Sequence, residues 1–225
     1  MNSFRHSCAV AALVIAVGFS CEARAELEVM VTDGVHTGTA NDLGSPGFAA
    51  FSGAIGNFNV LVAQGLGFPN IGSPSDPQLD LSSLDFTTTA GGTLTVEVTE
   101  TGFATSTAAE TFLSEITGIY TNSNATMNTY LDTTDAAFGM GTLLSSGLLD
   151  NQSGSFVLPS VVGPYSLTEL VTITAGGSSF ASIDAAILSA PEPASLSLLG
   201  AALAALGMIG LGNIVATRSG QRVRI

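Results

Sequence analysis

Gly91-Gly92-Thr93-Leu94-Thr95-Val96-Glu97-Val98-Thr99 is the stretch whose reading decides the fold. After the glycine pair, Leu94, Val96 and Val98 alternate strictly with Thr93, Thr95, Glu97 and Thr99. Successive side chains of a strand project to opposite faces, so this period of two describes a half-buried β-strand. The same pattern recurs on either side: Leu27, Val29 and Val31 alternate with Glu28, Met30 and Thr32, and Val171 and Ile173 with Thr172 and Thr174. Phe48–Ile55 and Phe58–Ala63 are apolar runs joined by Gly56-Asn57, a two-residue hairpin signal. Further strands are expected at Leu81–Thr88, Phe112–Tyr120, Ala125–Leu131, Leu143–Leu149, Gly154–Leu158 and Phe180–Leu188, while Ala108–Ile116 also admits a short helix. With 23 Thr between Glu26 and Ala190, the composition favours strands, and the expectation is an all-β, antiparallel β-sandwich of jelly-roll type. Ser73-Pro74-Ser75-Asp76-Pro77 reads as a turn-rich loop inside this domain.

Charge narrows the function. Of 18 acidic residues, Glu22 and Glu192 flank the domain and the other 16 lie within it, against no Lys or Arg between Glu26 and Thr217 and a single histidine, His36. Internal salt bridges are therefore excluded, and the acids are expected on solvated strand faces and turns. Nucleic acid is excluded as a partner, since nothing can neutralise phosphates.

The two ends read as addresses. Residues 1–25 have Arg5, an apolar run from Cys8 to Phe19, and Ala23-Arg24-Ala25 as a small-x-small cleavage site, the pattern of a secretory signal peptide. Cys21 as a lipidation site is the competing reading, and Gly18-Phe19-Ser20 fits it poorly. Cleavage after Ala25 removes Cys8 and Cys21, the two cysteines of the chain, and leaves a domain of residues 26–188 without thiol chemistry. At the other end, residues 189–225 hold Pro191-Glu192-Pro193, an apolar span from Leu196 to Ala216, and Arg218, Arg222 and Arg224. Such a span is long enough to cross a bilayer as one transmembrane helix, and the arginines behind it hold the C-terminus in the cytoplasm and the domain outside. The prolines keep the tripeptide extended ahead of the helix.

Pro191-Glu192-Pro193, the span and the arginine tail, in that order, resemble a PEP-CTERM sorting signal. The resemblance implies an exosortase-type processing enzyme as partner, in a Gram-negative bacterium that exports exopolysaccharide. The stretches Asp33-Gly34, Asn41-Asp42-Leu43, Leu79-Asp80-Leu81, Gly92-Thr93-Leu94-Thr95 and Pro164-Tyr165-Ser166-Leu167-Thr168 are similar to an extracellular domain that recurs ahead of such signals. This implies a secreted β domain and carries over no catalytic residue.

Candidate chemistry is sparse. No Gly-x-Ser-x-Gly elbow occurs, a Ser-His-Asp triad would have to use His36 in the polar loop Asp33–Gly38, and a phosphate cradle would lack its basic residue. Asp76, Asp80 and Asp85 crowd one segment and are the candidate calcium ligands, with Asp132 and Asp135, and Asp33 and Asp42, as lesser groups. No other cofactor is expected. A carbohydrate-binding module would stack sugar on aromatics, yet the chain has no Trp and only Tyr120, Tyr130 and Tyr165. A carboxylate-based glycoside hydrolase needs two acids across a cleft. The preferred expectation is a non-catalytic surface or matrix protein, exported through the inner membrane and associated with exopolysaccharide or biofilm.

Overall fold

The computed structural model describes residues 25–106, 110–149 and 151–190. Signal peptide, sorting tripeptide, apolar span and arginine tail, as expected from the sequence, lie outside the described residues, apart from Ala25. No helix occurs among the described residues, hence none long and apolar enough to cross a membrane.

The elements are β1 (Leu27–Thr32), β2 (Thr37–Asn41), β3 (Phe48–Ile55), β4 (Phe58–Leu66), β5 (Leu79–Thr88), β6 (Gly92–Phe103), β7 (Glu110–Asp132), β8 (Thr142–Leu149), β9 (Gln152–Leu158) and β10 (Tyr165–Ser189). All ladders between them are antiparallel, and the strands join in one continuous sheet. β10 is its spine. Its first half pairs with β6 on one side and with the second half of β7 on the other; its second half pairs with β5 and the first half of β7. Two leaves result. The first runs β2-β1-β6-β10-β7-β8 and the second β3-β4-β5-β10-β7-β9. The leaves face each other as a near-barrel.

The fold between them is a crease that crosses four chain segments. Gly176-Gly177 bends β10, where the register slips between Ala175 and Phe180; Gly91 and Gly92 join β5 to β6, Asn122 bends β7, and Asn151 lies between β8 and β9. Gly91, Gly92, Asn122, Asn151 and Ser178 all have positive φ. Side chains sew the crease shut: Asn122 Nδ2 donates to Gly177 O at 2.6 Å, and Ser179 Oγ donates to Asn122 O and Gly176 O at 2.8 Å.

The interior follows the alternation. Leu27, Val29 and Val31, then Leu94, Val96 and Val98, then Leu167, Val171 and Ile173 are buried on the inner face of the first leaf. Leu79, Leu81, Leu84, Phe86, Ile183 and Ile187 answer from the second. The leaves touch at Gly65 of β4, where a Cβ would lie 2.8 Å from Val98. On one open side, the Phe51 ring of β3 covers Gly38 of β2, bringing these edges together without a ladder.

Three expectations need correction. Glu110–Ile116 is strand, not helix, with Phe112, Ser114 and Ile116 inward. The runs expected as pairs of strands, at residues 112–120 and 125–131 and at residues 171–174 and 180–188, are single long strands bent at the crease. Part of the polar loop around His36 is β2, whose partner β1 supplies the pattern that Thr37–Asn41 lacks.

Candidate functional site

The second leaf carries an acidic groove on its outer face. β5, β10 and β7 lie side by side with Asp80 opposite Ala186, and Ala186 opposite Glu115; Asp184 is opposite Thr117. Asp80, Ser82, Glu115, Thr117, Asp184 and Leu188 line an open depression of about 310 Å³. Like charges crowd there without a base. Burial first, then the Asp184 and Glu115 carboxylates, push the Asp80 carboxyl up to about 6. Asp184 is also raised, by burial and then by Asp85.

Acids also stand inside the fold, which corrects the expectation of solvated faces throughout. Glu100 continues the inward phase of Leu94, Val96 and Val98 and is fully buried, as is Glu169 in the phase of Leu167 and Val171. Glu100 is seated beneath Gly67-Phe68: the Phe68 amide donates to Oε1 at 2.9 Å and Oε2 at 3.2 Å. Burial nonetheless drives its carboxyl up to about 8, the Phe68 amide opposing and Asp42 adding. Neither oxygen of Glu169 makes a hydrogen bond to a described residue. Burial holds this carboxyl well above its ordinary range and the Asp80 carboxylate raises it further; the Leu81 and Ile187 amides lean toward it without closing a hydrogen bond and offset part of the rise. Beside it in register is Thr129, whose Oγ1 meets Ser114 Oγ at 2.9 Å.

Asp80 and Asp85 lie on β5, while Asp76 closes a turn with Ser73 in the preceding loop. The structure thus brings Asp80 to Glu115 and Asp184, not to Asp76, and no three acids converge at metal-ligand distances among the described residues. Asp132 caps its own turn through Thr134, and Asp135 Oδ1 accepts from the Gly102 amide. His36 is exposed in its loop, as its sequence context suggests; its Nδ1 lies 3.0 Å from Asp33 Oδ2, the one pairing that the exclusion of salt bridges overlooked. Two backbone amides and this contact pull the Asp33 carboxyl down to about 2.

The tyrosines do not form a stacking platform. Tyr165 is buried against Phe103, Tyr120 packs on the core and Tyr130 lies at the far end of β7 from it. The sequence pointed to neither Glu115 and Asp184 nor the buried Glu100 and Glu169 as a group. Their register across three strands is what assembles them. No family model matches the chain, and no curated protein is significantly similar to it.

Proposed function

We propose that this chain is an exported, non-catalytic surface or matrix protein whose β domain is delivered by a cleaved leader and processed at Pro191-Glu192-Pro193. One observation carries the reading: β1 begins at Leu27, just after the expected cleavage site at Ala25, and β10 ends at Ser189, just before Pro191. The folded strands thus begin within two residues of the expected cleavage site, and β10, the strand that holds both leaves together, runs to within two residues of the tripeptide. In this reading residues 196–216 form a transmembrane helix that stops transfer, Arg218, Arg222 and Arg224 keep the tail cytoplasmic, and an exosortase-type enzyme acts at the tripeptide. The long ribbons crossing between leaves support a jelly-roll-like sandwich as the finer description of the fold. Retention among exopolysaccharides is part of the proposal. The test replaces Pro191, Glu192 and Pro193 together by alanine, which leaves the apolar length intact. Full-length precursor should then accumulate in the inner membrane, while the wild-type exported form lacks residues 196–225 by mass spectrometry. A surface form that retains those residues, with the triple variant distributed like wild type, reduces the segment to a plain anchor.

A further inference from the structure

We infer that the β9 side of the domain is a self-association surface, on which a second copy of this chain pairs edge to edge. An unpaired strand edge is a template for another strand, and proteins blunt such edges with short strands, bulges, charges or proline. Three of the four edges here are blunted. β2 has only five residues and lies against β3; β3 itself slips register between Phe51 and Gly53; β8 slips twice against β7, around Thr129. β9 does not. It pairs with β7 in unbroken register from Gln152 to Leu158, with neither charge nor proline in its seven residues, and no described residue hydrogen-bonds its outer edge.

The surrounding surface has the composition of an interface. Between Ala136 and Thr168 the sequence holds one charged residue, Asp150, in a domain with 16 acids. The same segment supplies Met140, Leu143, Leu149, Val157 and Val162, half of the ten large apolar side chains exposed among the described residues. A stretch of chain that is low in charge and exposes apolar side chains, in an otherwise anionic domain, marks a contact surface. It also selects the occupant. A cationic partner would be drawn to the acids elsewhere, whereas a second acidic copy meets the least repulsion here. Glu110 and Glu115 lie one strand back, opposite Leu158 and Ser153. Across a β9–β9 seam these carboxylates would be three strand spacings apart, about 14 Å, beyond the Debye length of ~8 Å at physiological ionic strength. A two-fold antiparallel seam is self-complementary and joins the second leaves of two copies into one sheet.

The absence of cysteine from Glu26 to Ile225 supplies the test. Ser155→Cys and Val157→Cys, at exposed β9 positions, are expressed in the full chain and oxidised on the intact cell. Non-reducing gels then separate monomer from disulfide-linked dimer. A two-fold axis at Ser155 or at Val157 sets that cysteine opposite its own copy, within disulfide reach, and an axis at Phe156 sets position 155 opposite position 157, which co-expression of the two variants detects. Asn59→Cys, exposed on the interior strand β4, is the control. The expected result is a dimer band from a β9 cysteine, none from Asn59→Cys, and loss of the band when the neighbouring β9 position, 157 or 155, also carries lysine, which sets like charges against each other. No β9 dimer, or equal dimer from Asn59→Cys, overturns the inference. Wild type is run alongside: a dimer there means that Cys8 and Cys21 are retained, a failure of the leader reading and not of the interface.

Discussion

The Phe68 amide donates to both carboxyl oxygens of Glu100, at 2.9 and 3.2 Å, yet Glu100 titrates near 8 because burial outweighs that hydrogen bond. The folded state therefore holds a proton that the unfolded chain releases near the ordinary value of 4.5. Stability from this group is fully present below that value and is lost as pH rises through about 8. Asp80, Glu169, Glu97, Glu28 and Asp184 are raised as well, and Asp33, half-buried in its loop, is the one acid lowered among the described residues. The domain should thus be most stable in mild acid and weaken toward pH 8, by up to roughly 1.4 kcal/mol per pH unit for each group titrating. Urea midpoints measured at pH 5 and pH 8 check this, and a higher midpoint at pH 8 refutes it.

Glu169→Met should stabilise the domain at pH 8. The carboxyl is fully buried without a hydrogen bond, so removing it relieves desolvation and leaves no partner orphaned. A gain of about 1–3 kcal/mol is expected, in the range for an unsatisfied buried polar group, and urea midpoints of the variant and wild type measure it. A midpoint at or below that of wild type refutes it.

Gly91 and Gly147 share a left-handed backbone, with φ of +74° and +67°, and differ in their surroundings. A Cβ on Gly91 would lie 2.6 Å from Gly176 O and 2.7 Å from Ala175 O, whereas one on Gly147 would meet nothing within 4 Å. Gly147→Ala should therefore cost only the conformational strain, about 1–2 kcal/mol. Gly91→Ala must in addition open the crease, and should lower the midpoint clearly further. Denaturant titration of both variants decides it, and equal losses would mean that the crease is not close-packed.

Much of this architecture is legible in alternation alone: β1, β6 and the β3–β4 hairpin at Gly56-Asn57 stand where Leu27–Thr32, Thr93–Thr99 and the apolar pair place them. Gly176-Gly177 was harder, because a glycine pair ordinarily reverses a chain, and here neighbouring segments bend with it and keep the strand running. β2 escaped because Thr37–Asn41 has no apolar phase of its own. The buried acids were legible in part. Glu100 and Glu169 share parity with Leu94–Val98 and Leu167–Ile173, so phase placed them inside while a general argument about charge placed them out. The groove was not legible, since Asp80, Glu115 and Asp184 come from three strands and only the register joins them.

Asp80 tests whether that groove is an electrostatic strain or a cation site. Its carboxyl is held near 6 by burial first and by Asp184 and Glu115 second, against an ordinary value of 3.8. The group thus costs stability as pH rises from about 4 through 6, and the full cost is present at pH 8. Asp80→Asn removes the charge, so it should raise the midpoint at pH 8 by about 1 kcal/mol, a figure discounted for partial exposure, and leave it nearly unchanged at pH 4. Sodium chloride should narrow the gap at pH 8 only in part, because salt screens the Asp184 and Glu115 repulsion and not the burial. Calcium separates the two readings. A site built on Asp80 would let millimolar calcium lift the wild type above a sodium control of equal ionic strength, and Asp80→Asn would lose that increment. With Asp76 held away in the Ser73 turn and no three acids converging among the described residues, the expected outcome is that Asp80→Asn leaves any calcium increment unchanged. A calcium-specific rise in the melting temperature that vanishes in Asp80→Asn would instead make the groove a cation site.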